Sequence, residues 1–286
     1  MQIGVTFPQN EIGADPAGIR DYVQAAEEQG YRHLVIYDHV LGADTTNRPG
    51  WQGYTYKELF HEVFVVLGYI AAISQLELAT DVVVLPQRQT ALVAKQAAEV
   101  DVLSGGKFRL GIGIGWNPVE YEALGKEFRA RGPVIEEQIE VLRLLWSQPS
   151  VTFKGKYHSI TEAGLNPLPV HRSIPIWTGG RADTLLRRTA RVANGWFPLG
   201  RPDEQMRATV EQLRTYIKEA GRDINEVGIE AAINVREGDL DEQIRQTEQW
   251  RHIGATHISV NTMGAGFRSL DEHLDALRRY KEAIPD

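Results

Sequence analysis

The 286-residue sequence contains no cysteine, which excludes disulfides, thiolate metal sites and a cysteine nucleophile. No run of 18 successive apolar residues occurs, so no segment has the length of a membrane-spanning helix. Basic charge is in deficit: 31 Lys and Arg stand against 38 Asp and Glu, a net charge of −7 without any basic cluster. A nucleic-acid partner needs a basic face and is therefore not expected. The N-terminus enters a strand-like segment directly, without a basic stretch and an apolar leader, and the expected compartment is the cytoplasm. None of the eight histidines stands at metal-ligand spacing from another ligand, so no metal site is expected. The G-x-S-x-G elbow and the Walker loop are missing too, which removes the sequence grounds for acyl transfer and nucleotide hydrolysis.

What is present has the composition of a globular protein, with 42% apolar and 24% charged residues. Such a length suits an α/β barrel folded as one domain over residues 1–286. Strand-like runs are expected at Gln2–Phe7, His33–Tyr37, Leu76–Leu85, within the stretch Gly106–Asn117, and at Ile174–Thr178, Gly195–Leu199, Val227–Val235 and Thr256–Asn261, with a helical pattern after each. The clearest helices are Thr90–Leu103, with Val93, Ala97 and Val100 on one stripe, and the segment carrying Ile135, Ile139, Leu142 and Trp146. Asp15 before Pro16 reads as an N-cap, and a helix is expected across Phe60–Ser74. Residues 149–173 break the alternation as an inserted excursion, with a small hairpin turning near Gly155. Eight strands alternating with eight helices predict a (β/α)₈ TIM barrel. A doubly wound sheet would carry its glycine fingerprint in the first βα turn, which has none here.

In such a barrel the chemistry sits at the C-terminal ends of the strands. The second strand ends in Asp38-His39, where an imidazole can exchange a proton near neutral pH or serve only as a bonded loop residue. The third carries Asp81, Val82 and Val83, either filling a buried strand or pressing on a flat ligand. The fourth has glycine at 111, 113 and 115 and then Trp116-Asn117. A strand face without side chains demands a close neighbour, whether strand, helix or ligand. The fifth ends in Gly179-Gly180-Arg181 ahead of a helix, as an anion-holding helix N-terminus or as a tight turn. The long loop 42–56, with Trp51, Tyr54 and Tyr56, is expected to shape a pocket. Glu62, beside His61, reads as a pocket residue or as a helix-capping charge.

Several motifs taken together resemble the luciferase-like monooxygenase superfamily of flavin- and deazaflavin-dependent oxidoreductases, in particular the branch that uses coenzyme F420. They are Tyr37-Asp38-His39, Leu85-Pro86-Gln87-Arg88, Leu92–Ala98 with Asp101–Lys107, Gly111–Tyr121, and Ile174–Gly180 with Gly195–Pro198. The resemblance implies a ring cofactor in the barrel mouth, F420 or alternatively FMN. It also implies a bulge with a non-prolyl cis peptide at Asp81-Val82, His39 facing the reactive ring carbon, and Gly179-Gly180 holding the phosphate. On this resemblance the cofactor contacts are Asp38, His39, Asp81, Val82, Val83, Trp116, Asn117, Gly179, Gly180 and Arg181. The substrate pocket is expected from Trp51, Tyr54, Glu62, Trp116 and Tyr121. Trp116 stands where sugar-phosphate dehydrogenases of the family carry a glutamate, so that substrate class is not expected. The reaction implied is hydride transfer between the deazaflavin C5 and a small imine, enone or carbonyl. The alternatives are an FMN-dependent monooxygenase and a non-catalytic flavin-binding protein. A homodimer is expected, and a separate dehydrogenase would reduce the cofactor.

Overall fold

The computed structural model describes residues 1–284. From the N-terminus the elements are β1 (Gln2–Thr6), α1 (Pro16–Glu28), β2 (His33–Ile36), α2 (Val63–Ile73), β3 (Glu77–Thr80), β4 (Val83–Val84), α3 (Thr90–Leu103), β5 (Phe108–Gly113), α4 (Pro118–Ala123) and α5 (Arg131–Ser147). A hairpin follows, β6 (Val151–Lys154) with β7 (Ser159–Ala163). The remainder is β8 (Ile176–Gly179), α6 (Asp183–Val192), β9 (Gly195–Phe197), α7 (Glu204–Glu219), β10 (Gly228–Asn234), α8 (Leu240–Ile253), β11 (His257–Asn261) and α9 (Leu270–Ala283).

The strands pair in the order β3, β2, β1, β11, β10, β9, β8, β5, and β5 returns to both β3 and β4. All these pairings are parallel. With β3 and β4 as two parts of one stave, this is a closed eight-stranded (β/α)₈ TIM barrel. The excursion expected at 149–173 is the antiparallel β6–β7 hairpin, held on α5 and α3 by His158. Its Nδ1 lies 2.7 Å from Glu137 and its Nε2 2.6 Å from the Thr90 hydroxyl.

Local chemistry sets the boundaries. The Asp15 carboxylate accepts from Ala17 N and starts α1 at Pro16, as the sequence predicts. Glu62 accepts from Val65 N, so α2 begins at Val63 and not at Phe60. The third stave is not the continuous strand expected over 76–85. Ala79 pairs with Arg109, but Val83 pairs with Ile112, so β3 and β4 spend one residue more than β5 over this span. That slip is a bulge, and the Asp81-Val82 peptide within it is cis.

The bulge explains the glycine-rich strand. A Cβ on Gly111 would run into the Thr80 carbonyl, one on Gly113 would lie 2.6 Å from Val82 Cγ2, and one on Gly115 2.5 Å from Val84 Cγ1. Successive glycines on β5 and just beyond it thus receive alternate residues of the neighbouring stave. The close neighbour is a strand. Val82 also reaches across the barrel, because a Cβ on Gly179 would sit 2.9 Å from its Cγ1. Around it Val35, Ala79, Trp177 and Phe197 form a small apolar cluster separate from the main core.

Candidate functional site

The inward-facing residues form layers. At the N-terminal end Glu230 on β10 lies 2.8 Å from His33 Nε2 and accepts from Arg109 Nη1 at 2.7 Å. Arg109 also donates to Glu77 at 2.5 Å and stacks over Trp177 with 4.4 Å to its ring centroid. Burial opposes the Glu230 charge, but His33 and Arg109 outweigh it and hold that carboxyl far below its ordinary value. This ionic floor packs the barrel bottom, away from the strand ends where chemistry is expected.

At the opposite end β2 delivers Asp38 and His39. Asp38 is buried and accepts from Arg88 Nη2 at 2.7 Å, fixing the segment after β4 to the end of β2. Burial raises the Asp38 carboxyl, with Arg88 opposing. His39 Nδ1 lies 3.2 Å from Glu120 Oε2. Glu120 sits in α4, is 1% exposed, and also accepts from Val40 N at 2.7 Å and Leu41 N at 3.2 Å. Burial opposes the Glu120 charge, yet these bonds prevail and hold its carboxyl below the ordinary value. A carboxylate fixed on Nδ1 sets the tautomer and leaves Nε2 free to exchange a proton. The imidazole packs among aromatic rings, with centroids 4.8 Å from Phe60, 5.1 Å from Tyr54 and 5.8 Å from Trp116. Trp51 closes the group 5.8 Å from Trp116. His39 also lines a cleft of about 610 Å³ shared with Phe60, Arg88, Leu92 and Lys126.

Asp81 and Val82 turn inward from the bulge, both part-exposed to the mouth. Burial, reinforced by the Glu230 charge and opposed by Arg109, pushes the Asp81 carboxyl up to about 7. Beside it Asn261 Nδ2 donates to the Tyr37 hydroxyl at 3.3 Å and to Asn234 Oδ1 at 3.0 Å. On the far wall, Gly180 adopts φ +128°, which disfavours any residue with a Cβ. Its N–H is taken by the Phe197 carbonyl at 3.2 Å, so an anion here would meet the backbone after it, at the start of α6. Arg181 and Arg201 edge a hollow of about 500 Å³ at this end of β8 and β9.

The expected residues therefore separate. His39, Trp51, Tyr54 and Trp116 gather at one wall, and Asp81, Val82 and Gly179 meet at the bulge. Gly180 and Arg181 stand beyond them. Four others have structural work. Val83 is buried in the main core. Asn117 is 2% exposed and caps α4, accepting from Val119 N at 3.0 Å while donating to Leu41 O. Tyr121 is buried with its hydroxyl donating to Ile114 O at 2.7 Å, and so stands behind the pocket wall. Glu62 lines the His39 cleft but is spent on Val65 N and Arg88. Sequence reasoning missed Glu120 as the partner of His39, Phe60 as part of the aromatic box, and the partners of His33 and His158. The one signal for Glu120 was its place in the first turn of the helix begun by Pro118. Among the described residues no group of three His, Asp or Glu side chains is arranged to hold a metal, and no helix is long and apolar enough to cross a membrane.

A parallel eight-stranded barrel with a histidine, an inward bulge and a glycine-bordered mouth at its strand ends has the architecture of a TIM-barrel protein with its candidate site at the C-terminal face. The chain belongs to the luciferase-like monooxygenase family, whose pattern it matches over residues 1–283. It is 33% identical over 210 residues to the uncharacterized protein Rv0940c of Mycobacterium tuberculosis, covering 70% of this chain and 71% of that one. It is 33% identical over 174 residues to the pyrimidine monooxygenase RutA of a Bradyrhizobium species, covering 57% of this chain but 47% of the relative. Among solved structures it is similar to an F420-dependent secondary alcohol dehydrogenase in complex with an F420–acetone adduct. That match has a TM-score of 0.82 at 17% identity and covers 100% of this chain and 99% of the other.

Proposed function

We propose that this chain is a two-electron oxidoreductase that binds coenzyme F420 in the barrel mouth and passes hydride between the deazaflavin and a small imine, enone or carbonyl. The observation that carries it is His39 at the end of β2, fixed through Nδ1 by Glu120, with Nε2 free, inside an aromatic box. The mouth suits a flat ring: glycines at 113 and 179 leave Val82 as an inward ridge, and the rings of Trp116 and Trp51 wall the approach. Trp116, Gly179, Gly180, Arg181 and the bulge would hold the group. Bound, it supplies a carbon that accepts or gives a hydride and, lacking the flavin nitrogen, reacts poorly with oxygen.

The protein's own task is protonic and steric. His39 Nε2 gives a proton to, or takes one from, the substrate oxygen or nitrogen, while Tyr54, Phe60 and Trp116 keep water from its ring. Glu120 acts through His39 as a positioning residue. The end-to-end match to an F420-dependent dehydrogenase supports the deazaflavin reading. The 33% identity to a monooxygenase favours the second reading, reduced FMN with oxygen. The two readings separate when the protein with reduced F420 is screened anaerobically against conjugated ketones, imines and quinones. Loss of the reduced-cofactor signal with one class supports F420. Turnover only with reduced FMN and oxygen supports the monooxygenase.

A homodimer is part of this reading. Val65 is 72% exposed on α2, and Leu92 and Leu103 are exposed on the adjoining α3, which gives an apolar face suited to a second copy. Val65→Glu combined with Leu92→Glu should convert a dimer into a monomer in light scattering. A wild-type monomer would contradict the assignment.

A further inference from the structure

Among the described residues the mouth holds one carboxyl for which the fold provides no partner. Asp38, Glu120, Glu230 and Glu77 are all bonded to cations, imidazoles or backbone N–H groups. The Asp81 carboxyl makes no hydrogen bond or ion pair among the described residues. It is also not a surface group: it projects from the bulge to within 3.8 Å of where a Cβ on Gly179 would lie, directly beside Val82. The register slip puts it there, because two successive residues of one stave, Asp81 and Val82, both turn inward.

The groups facing Asp81 are Glu230 from β10, Arg109 from β5 and the Tyr37 hydroxyl after β2. The β8 and β9 walls present Gly179, Trp177 and Phe197. Arg109 bonds Glu77 through Nε and Glu230 through Nη1, and although its Nη2 has no partner and its charge acts on Asp81, it makes no ion pair with that carboxyl. A flat ligand seated on Val82 removes the water that still reaches this carboxyl. Covered and ionised, it would be an unpaired buried charge, which is strongly unfavourable. Covered and neutral, it is a hydrogen-bond donor to an acceptor on the ring.

Resting on the functional reading above, we propose that Asp81 is a cofactor-binding residue that acts as a neutral carboxylic acid. It donates a hydrogen bond to a carbonyl or ring-nitrogen acceptor on the polar edge of the (deaza)flavin, so that binding takes up a proton. In the ligand-free protein its carboxyl already lies near 7, raised mainly by burial, so the switch falls within the ordinary working range.

The test is equilibrium binding of F420 and of FMN, read by fluorescence at pH 6 and pH 8, for wild type, Asp81→Asn and Asp81→Leu. Ionisation of the cofactors themselves is common to all three proteins. The wild type should bind more weakly at pH 8 than at pH 6, by up to tenfold per pH unit above 7 relative to Asp81→Asn, because proton uptake is linked to binding. Asp81→Asn, a permanently neutral donor, should lose this difference and match or exceed the wild type at pH 8. Asp81→Leu should bind more weakly than either at pH 6.

Melting of the ligand-free proteins gives a second readout. A carboxyl raised from 3.8 to about 7 on folding binds its proton more tightly in the folded state. Stability is therefore lost as pH rises from about 4 to 7, and it stays low above 7. Asp81→Asn should then melt higher than wild type at pH 8, with the gap closing towards pH 4. Equal affinities of all three proteins at both pH values overturn the Asp81 assignment alone. Failure of the wild type to bind either cofactor overturns it together with the functional reading.

Discussion

Replacing His39 by alanine is expected to lower turnover with the reduced cofactor by about 10²–10⁴-fold, the usual contribution of a positioned acid or base, while cofactor affinity changes little. The split follows from the geometry. The imidazole is held from behind by Glu120 and from the sides by Phe60, Tyr54 and Trp116, so its free face is Nε2. The hydride site would lose its proton partner and keep its ring cradle, which is built from Val82, Gly113 and Gly179. His39→Asn, which retains polar atoms but cannot titrate, should remain near the alanine level. Glu120→Gln should give an intermediate loss, because the neutral amide still occupies the site while the charge that steadies a protonated His39 is gone. Stopped-flow reduction with a substrate found by the screen measures each rate. A His39→Ala protein as fast as wild type would remove the histidine from the mechanism.

The second large effect concerns stability. Glu230→Leu leaves Arg109 and His33 facing an apolar side chain in the barrel floor, and breaking a buried pair in this way costs about 3–5 kcal/mol. For a chain of this length the loss corresponds to a fall in melting temperature on the order of 10 °C at pH 7. The pH dependence carries a sign. The folded Glu230 carboxyl lies below its unfolded value, so its contribution is complete above about 4.5 and is lost as pH falls further. His257 is depressed to about 3 by burial and by Arg109. Its unprotonated form is favoured in the folded state, so stability falls progressively from about pH 6.5 downward. Between about pH 4 and 6.5 the Asp81 contribution runs the opposite way and offsets the His257 loss, so the Glu230 contribution is read from the gap between wild type and Glu230→Leu, which should shrink below pH 4.5. Thermal melts from pH 3.5 to 8 check this. A constant gap across that range would mean that Glu230 packs as an uncharged spacer.

Much of this was legible in the sequence because it is local. The alternation of short β-type runs with 3.6-periodic segments marks the barrel, and Asp15 marks the start of the first helix. The strand-end residues Asp38-His39 and Gly179-Gly180 fall where a barrel places its chemistry. What escaped depends on contacts between distant segments. The glycine-rich strand was ambiguous because the groups that fill its empty face, Thr80, Val82 and Val84, lie about thirty residues upstream. Glu120 is 81 residues from His39, and Glu230 is 197 from His33. No periodicity signals such a pairing. Asn117 and Tyr121 read as pocket residues from their neighbourhood, yet each satisfies nearby backbone, which only the folded chain reveals, whereas the capping role of Glu62 was one of its two sequence readings. The bulge was expected from family resemblance, whereas its consequence for Asp81 follows from the one-residue slip in strand register.

The ionic floor and the mouth also bear on one another. Glu230 is clamped by Arg109 and His33 and cannot move towards Asp81, yet its charge still acts on that carboxyl. A rigid charged layer thus lies beneath a switchable group, and above both sits the inward Val82 ridge.

Everything proposed for His39 and Asp81 depends on the binding of a deazaflavin in this mouth. That binding is tested most directly by anaerobic titration of the purified protein with oxidised F420 and, in parallel, with FMN, following the fluorescence of each. Saturable F420 binding near one equivalent per chain and distinctly weaker FMN binding are expected. Tight FMN binding with no response to F420 would contradict the deazaflavin reading.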